Sequence, residues 1–198
     1  MDKIIKEYIS KAPDGFIFSI KDLLDIAPYD TIKNTLQRME KKGEISRVIN
    51  GIYSKPKFST FLNEYVPVSI YQVAQKIAEK FGWSIIPSGV HALNILHLST
   101  QVPAHYVYLS DGPYREYEIQ GIKLKFKHTS TRYICGMSPI SALVIQAFRC
   151  LGQEHVTKKT LNTLKLVLRE EDKMKLIDEC KKAPVWIYEY IKILALSV

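Results

Sequence analysis

Cysteine is scarce and poorly placed for cross-linking. Cys135, Cys150 and Cys180 are odd in number and far apart, with no CxxC pair, so neither a disulfide framework nor a zinc site is supported. A reducing, cytoplasmic compartment fits that usage. No apolar run approaches the roughly 18 residues needed to cross a membrane. The opening MDKIIKEYISKA spaces its apolar residues as an amphipathic helix does, so neither secretion nor a membrane partner is expected. Glycine-rich phosphate loops are absent, and His91, His97, His105, His128 and His155 contain no HxxxH pair. Ser88 lies near His91, but no G-x-S-x-G elbow surrounds it and no positioned acid completes a triad. Asp111, Glu116 and Glu118 lack the spacing of a metal-ligand set. The expectation is a protein that is not an enzyme and holds no metal or cofactor.

Repeats and low-complexity tracts are also missing, and 198 residues with 46% hydrophobic and 24% charged content describe a globular chain with a sizeable core. The formal charge of +8 is unevenly spread. Residues 1–30 carry 4 basic and 6 acidic side chains, residues 31–60 carry 7 and 2, and residues 61–198 carry 17 and 12. One thirty-residue stretch is therefore strongly basic, which is the footprint of a phosphate-binding surface.

That stretch, DTIKNTLQRMEKKGEISRVINGIYSKPKF, reads as helix, turn and β-ribbon. Ile32, Leu36 and Met39 fall on one helical face, leaving Lys33, Asn34, Gln37, Arg38 and Lys41 on the remainder. Asp30 stands where an N-cap is needed and Gly43 where a left-handed residue ends the helix. Asn50-Gly51 fits a type I′ hairpin turn, with Ile49 facing Ile52, Val48 facing Tyr53 and Arg47 facing Ser54. Upstream, Ile4, Ile5, Tyr8 and Ile9 give a first helix with one apolar face, and Phe16, Ile17 and Phe18 either add a short strand or fill the core. SIKD at Ser19 resembles a capping box for a helix over residues 21–26. This order predicts a winged helix-turn-helix over residues 1–60.

Residues 57–67 form a connector whose Phe58, Phe61, Leu62, Tyr65 and Val66 suggest docking. Residues 61–198 then form a second, α+β domain. Its expected elements are a helix from Ser69 to Phe81, a strand ending at Ile86 and a helix over residues 90–98. Three strands separated by Asp111-Gly112-Pro113 and Gln120-Gly121 follow as an antiparallel meander, then helices to the end. In the last strand Lys123, Lys125 and Lys127 alternate with apolar residues, and with Arg132 they make a solvated face, extend the basic surface or meet an acidic partner.

LQRMEKKGEISRVINGIYSKP, IIPSGVHALNILHLSTQVP, YVYLSDG and IQGIKLKFKH together resemble the AbiEi family of antitoxins, the transcriptional-regulator half of type IV toxin–antitoxin (abortive infection) systems. The most specific part is Pro87, Gly89, Ala92, Leu93, Gln101, Val102 and Pro103; His97 departs from it, standing where relatives often have glycine. The resemblance implies a winged helix that represses its own operon by binding inverted repeats in double-stranded DNA. It also implies a C-terminal antitoxin domain that counters a nucleotidyltransferase-like toxin without a stable complex.

A recognition helix meets base edges with its N-terminal residues. Thr31, Lys33, Asn34, Gln37 and Arg38 are thus the expected readers, Asn34 and Gln37 suited to adenine and Arg38 or Lys33 to guanine. Lys41, Lys42, Lys55 and Lys57 are expected at phosphates, and Arg47 and Asn50 in the minor groove. The alternatives are a winged-helix module that binds protein, and a regulator unconnected with any toxin.

Overall fold

The structure, a computed structural model, describes residues 2–130 and 136–196; Arg132 and Cys135 lie outside them. The fold is mixed α+β and divides into two compact units, Met1–Trp83 with Ile119–Gly121, and Ser84–Glu118 with Ile122–Val198.

The first unit begins with α1 (Asp2–Lys11), which buries Ile5 and Ile9 and leaves exposed Ile4 and Tyr8, also expected on its apolar face. Strand β1 (Ile17–Ser19) follows. The Ser19 N–H donates to the Asp22 carboxylate at 2.8 Å, as a capping box requires. The element it starts is a single 3-10 turn, Ile20–Leu23, in place of the expected α-helix over residues 21–26. Asp22 is also held by Lys76 at 3.1 Å, and the chain goes on in i→i+3 bonds, the Leu24 N–H donating to the Lys21 carbonyl at 3.2 Å and the Ile26 N–H to the Leu23 carbonyl at 2.9 Å.

Helix α2 (Tyr29–Lys41) buries Ile32, Thr35, Leu36 and Met39. Ile32, Leu36 and Met39 pack with Ile5, Ile9, Phe18, Leu23, Ala27, Ile45 and Tyr53 in one core. Each large side chain there contributes about 2 kcal/mol by leaving water. Pro28, extended at φ −60° and ψ 149°, takes the N-cap position expected for Asp30, which instead lies one residue inside the first turn. The other end is as read: Gly43 has φ +73°, its N–H donates to the Glu40 carbonyl at 2.9 Å, and the Glu44 N–H donates to the Met39 carbonyl at 3.0 Å. That pair of bonds is a Schellman stop, which needs a left-handed residue at Gly43.

Strands β2 (Ser46–Ile49) and β3 (Ile52–Ser54) form the hairpin, and β1 pairs antiparallel on the other side of β3. Ile49 faces Ile52 as expected, but of the two turn residues only Gly51 has a positive φ, so the turn is not the expected type I′, and a bulge at Val48 then shifts the register. Arg47 faces Tyr53 and Ser46 faces Ser54, where the sequence suggested Val48 and Arg47. Strands β4 (Lys57–Ser59) and β5 (Glu64–Val66) make a separate two-stranded hairpin. Helix α3 (Ile70–Phe81) has Ser69 as N-cap and ends at left-handed Gly82. It packs on β1 and β3 with Ile70, Val73, Ala74 and Ile77 buried, so the first unit extends past the boundary expected after residue 60.

In the second unit β6 (Ile85–Pro87), β7 (His105–Ser110), β8 (Arg115–Ile119) and β9 (Ile122–His128) form one sheet in the order β6-β7-β9-β8. The expected meander is not the order found: β9 lies between β7 and β8 and pairs parallel to β7, His105 opposite Lys123 and Ser110 opposite His128. Helix α4 (Val90–Ile95) stops short of residue 98, and α5 (Pro139–Leu151), α6 (Lys158–Val167), α7 (Glu170–Glu179) and α8 (Val185–Leu196) follow. Leu93, Leu96, Val144, Phe148, Leu164, Leu176, Ile187 and Ile191 join these helices in a second core.

Candidate nucleic-acid interface

With 100° per residue, the buried stripe of α2 fixes what the opposite face presents. Asp30, Lys33, Asn34, Gln37 and Lys41 share that face and are exposed, and Lys42 is exposed at the cap. Freed from capping, Asp30 adds a carboxylate to this row, an acceptor suited to the cytosine amino group. Thr31 lies toward the edge and is half-buried.

Arg38 occupies the same edge and is not free. Its guanidinium pairs with Asp2 at 2.7 Å and its Nε donates to the Asn34 carbonyl at 3.2 Å. The Thr35 hydroxyl lies 2.8 Å from both the Asp2 carboxylate and the Thr31 carbonyl. The Thr35 hydrogen bond, and after it the Arg38 charge, holds the Asp2 carboxyl below its ordinary value. Both Arg38 and Asp2 are well exposed, so solvent screens the pair and Arg38 can exchange Asp2 for a base or phosphate.

On the hairpin the Arg47 guanidinium donates to the Asn50 side-chain oxygen at 2.7 Å, holding the turn. The Asn50 carbonyl accepts from Lys80 Nζ at 2.7 Å, and Lys21 Nζ donates to the Lys80 carbonyl at 2.7 Å. Gly51 fits this arrangement twice over: its φ is +76°, and a Cβ there would come within 3.1 Å of Lys80 Nζ. Lys21, Arg47 and Lys80 thus gather at one turn with no carboxylate paired to them among the described residues. Burial, then the charges of Lys21 and Arg47, push the Lys80 ammonium below its ordinary value. Such a cluster attracts anions. Lys21 and Lys80 escaped the sequence reading because 59 residues separate them and no local pattern joins them.

Lys55 has a different job from the one expected. Its ammonium donates to the carbonyls of Ser10 at 2.9 Å and Ala12 at 2.7 Å and pairs with Asp14 at 3.0 Å, and its side chain is only 23% exposed. A cation at the carbonyl end of α1 satisfies groups the helix leaves open. These bonds lock the end of α1. Lys57 is exposed and lines an open cavity of about 590 Å³ with Gly15, Gly43, Ser46 and Ser69.

The other sequence candidates are accounted for within the second unit. His91 is buried, with the rings of Tyr106 and Tyr108 edge-on at 4.8 and 5.3 Å, and burial pushes its imidazole pKa down. Asp111 accepts from the Ser84 N–H at 2.9 Å, and Glu116 accepts from the Tyr114 hydroxyl at 3.0 Å and pairs with Lys125 at 3.3 Å. Lys123 and Lys127 are exposed on the same sheet face. Among the described residues no His, Cys, Asp and Glu side chains converge as a metal would require, and no helix is long and apolar enough to cross a membrane.

A family of unknown function, DUF6088, matches residues 4–176, from the first turn of α1 into α7. The chain belongs to DUF6088. No curated protein matches it. The α2 face and the cations around the hairpin turn both fall inside the part that defines this DUF6088 chain as a member.

Proposed function

We propose that the first unit of this DUF6088 chain is a winged helix-turn-helix that binds double-stranded DNA, with α2 as the recognition helix and the β2–β3 hairpin as the wing. One observation carries the reading: α2 turns Lys33, Asn34, Gln37 and Lys41 to a single exposed face while its opposite face is fully buried. A helix of about 10–12 Å diameter fits the major groove of about 12 Å. Asn34 and Gln37 then read adenine edges, Lys33 and a released Arg38 read guanine, and Asp30 reads cytosine. Lys41, Lys42 and the cluster of Lys21, Arg47 and Lys80 hold phosphates. Asn50 acts through the turn it shapes.

We further propose that the chain is a cytoplasmic transcriptional repressor of its own operon and the antitoxin to a nucleotidyltransferase-like toxin. This part rests on the resemblance of residues 85–103 and their flanks to AbiEi antitoxins. Co-expression with a neighbouring nucleotidyltransferase-like gene tests it: growth restored by the unaltered chain supports the role, and unrelieved growth arrest contradicts it.

The DNA reading is tested by fluorescence anisotropy on the protein's own upstream DNA and on a scrambled duplex, with Asn34→Ala and Gln37→Ala. Each substitution should remove about 1–3 kcal/mol of preference for the cognate duplex. Equal affinity of the unaltered protein for both duplexes would refute sequence-specific recognition.

A further inference from the structure

The β4–β5 hairpin gathers exposed apolar side chains into one patch. Phe61 at its tip is 93% exposed, Tyr65 67%, Leu62 58% and Phe58 46%, and Val66 is exposed as well. A fully exposed aromatic side chain presents roughly 200 Å². The three rings therefore offer about 400 Å², and Leu62 with Val66 brings the patch to roughly 500–600 Å², at the upper end of what a monomer displays. The hairpin is also only two strands wide, and every residue of β5 is exposed. Two strands alone are marginally stable in water, and an unpaired strand edge is a template for another strand.

We infer that the β4–β5 hairpin is a homodimerisation element, in which β5 of one copy pairs antiparallel with β5 of a second copy about a two-fold axis at Tyr65. Area and charge favour a second copy as the occupant. Two such patches bury about 1,000 Å², the lower bound for a specific interface. Within one copy Lys57 lies opposite Val66, Phe58 opposite Tyr65 and Ser59 opposite Glu64. The two-fold pairing sets Tyr65 against Tyr65 of the second copy. The edge-on Phe58–Tyr65 pair, 5.3 Å between centroids, becomes a row of four rings on one face. On the other face Val66 meets Glu64 of the second copy, so Lys57 beside Val66 stands on the same row as an opposite charge. The symmetry repeats this contact, and it places no like charges directly opposite one another.

Analytical ultracentrifugation of the full chain over a concentration series tests the inference, and it needs no DNA. A monomer–dimer equilibrium is expected at micromolar concentrations. Tyr65→Ser should raise the dimer dissociation constant at least tenfold, and Lys57→Glu or Glu64→Lys alone should weaken the dimer severalfold. The double exchange of Lys57→Glu with Glu64→Lys should restore it, because the row regains unlike charges. Circular dichroism of each variant must match the unaltered chain, and Phe61→Ser serves as a second probe should Tyr65→Ser fail to fold. A chain that stays monomeric at all concentrations, or a dimer indifferent to Tyr65 and Phe61, overturns the inference. A dimer weakened by the single charge changes and not restored by the double exchange overturns the two-fold register.

Discussion

Replacing Lys55 with methionine keeps the aliphatic stem and removes only the ammonium, so the loss is confined to its three polar partners. The carbonyls of Ser10 and Ala12 lose charge-assisted bonds of 2.9 and 2.7 Å at a side chain only 23% exposed. Bonds to a charged group are worth about 1.5–3 kcal/mol each, and the two share one donor, so their joint loss falls well short of twice that. The Asp14 side chain is 61% exposed and adds at most about 1 kcal/mol. Lys55→Met should therefore destabilise the first unit by about 2–3 kcal/mol. The chain has two tryptophans, Trp83 and Trp186. In a Trp186→Phe background, Trp83 fluorescence follows urea unfolding of the first unit. The midpoint should fall by roughly 0.7–3 M at an m-value of about 1–3 kcal/mol/M. DNA affinity and its salt dependence, measured well below that midpoint, should not change. An unaltered midpoint with a salt slope smaller by about one would refute the lock and return Lys55 to the phosphates.

His97 adopts φ +55° at the end of α4, where its N–H donates to the Asn94 carbonyl at 3.1 Å and the Leu98 N–H to the Leu93 carbonyl at 2.8 Å. A side chain in that conformation costs about 1–2 kcal/mol, so His97→Gly should raise stability by about 1 kcal/mol in thermal unfolding, after glycine's own entropy is counted. In the second unit Glu179 accepts from the Ser138 N–H at 2.8 Å and its hydroxyl at 2.7 Å. Burial pushes the Glu179 carboxyl up, but the hydrogen bonds of Ser141 and Ser138 outweigh it and leave the net value below the ordinary 4.5. Its stabilisation is thus fully present above the unfolded value and is lost as pH falls through the depressed folded one. Glu179→Gln should cost about 1 kcal/mol at pH 7. Urea titrations should show that difference closing at acid pH.

Most local features were legible in the sequence, though Asn50 lacks the positive φ of a type I′ turn and Ile4 and Tyr8 stay exposed on α1. The apolar spacing of α1, α2 and α3, the left-handed stop at Gly43 and the Asn50-Gly51 turn each depend on residues within one or two turns of chain. The bulge at Val48 does not, since β3 is held on its other side by β1, and the sequence of the hairpin alone gives the unbulged pairing. Nor is the parallel pairing of β9 with β7 visible: alternation tells which face of a strand is buried, not which strand lies beside it. The candidate site divides in the same way. Lys33, Asn34, Gln37 and Lys41 follow from helical periodicity, and the same periodicity would have placed Asp30 on their face had Pro28 been taken as the cap. Lys55, Lys21 and Lys80 depend on partners 30 to 59 residues away, so charge in the sequence marked the region without showing which cations stay free.

The central claim is that the exposed cations of α2 and the hairpin turn meet the DNA backbone, and the salt dependence of binding tests it most directly. About five phosphates held by Lys41, Lys42, Lys21, Arg47 and Lys80 give a log–log slope of about −4 to −5, a loss of a few hundredfold between 50 and 200 mM salt. Lys41→Ala and Lys80→Ala should each make the slope shallower by about one, and Lys55→Met should leave it alone. A slope near zero, or one that neither Lys41→Ala nor Lys80→Ala changes, would contradict the account.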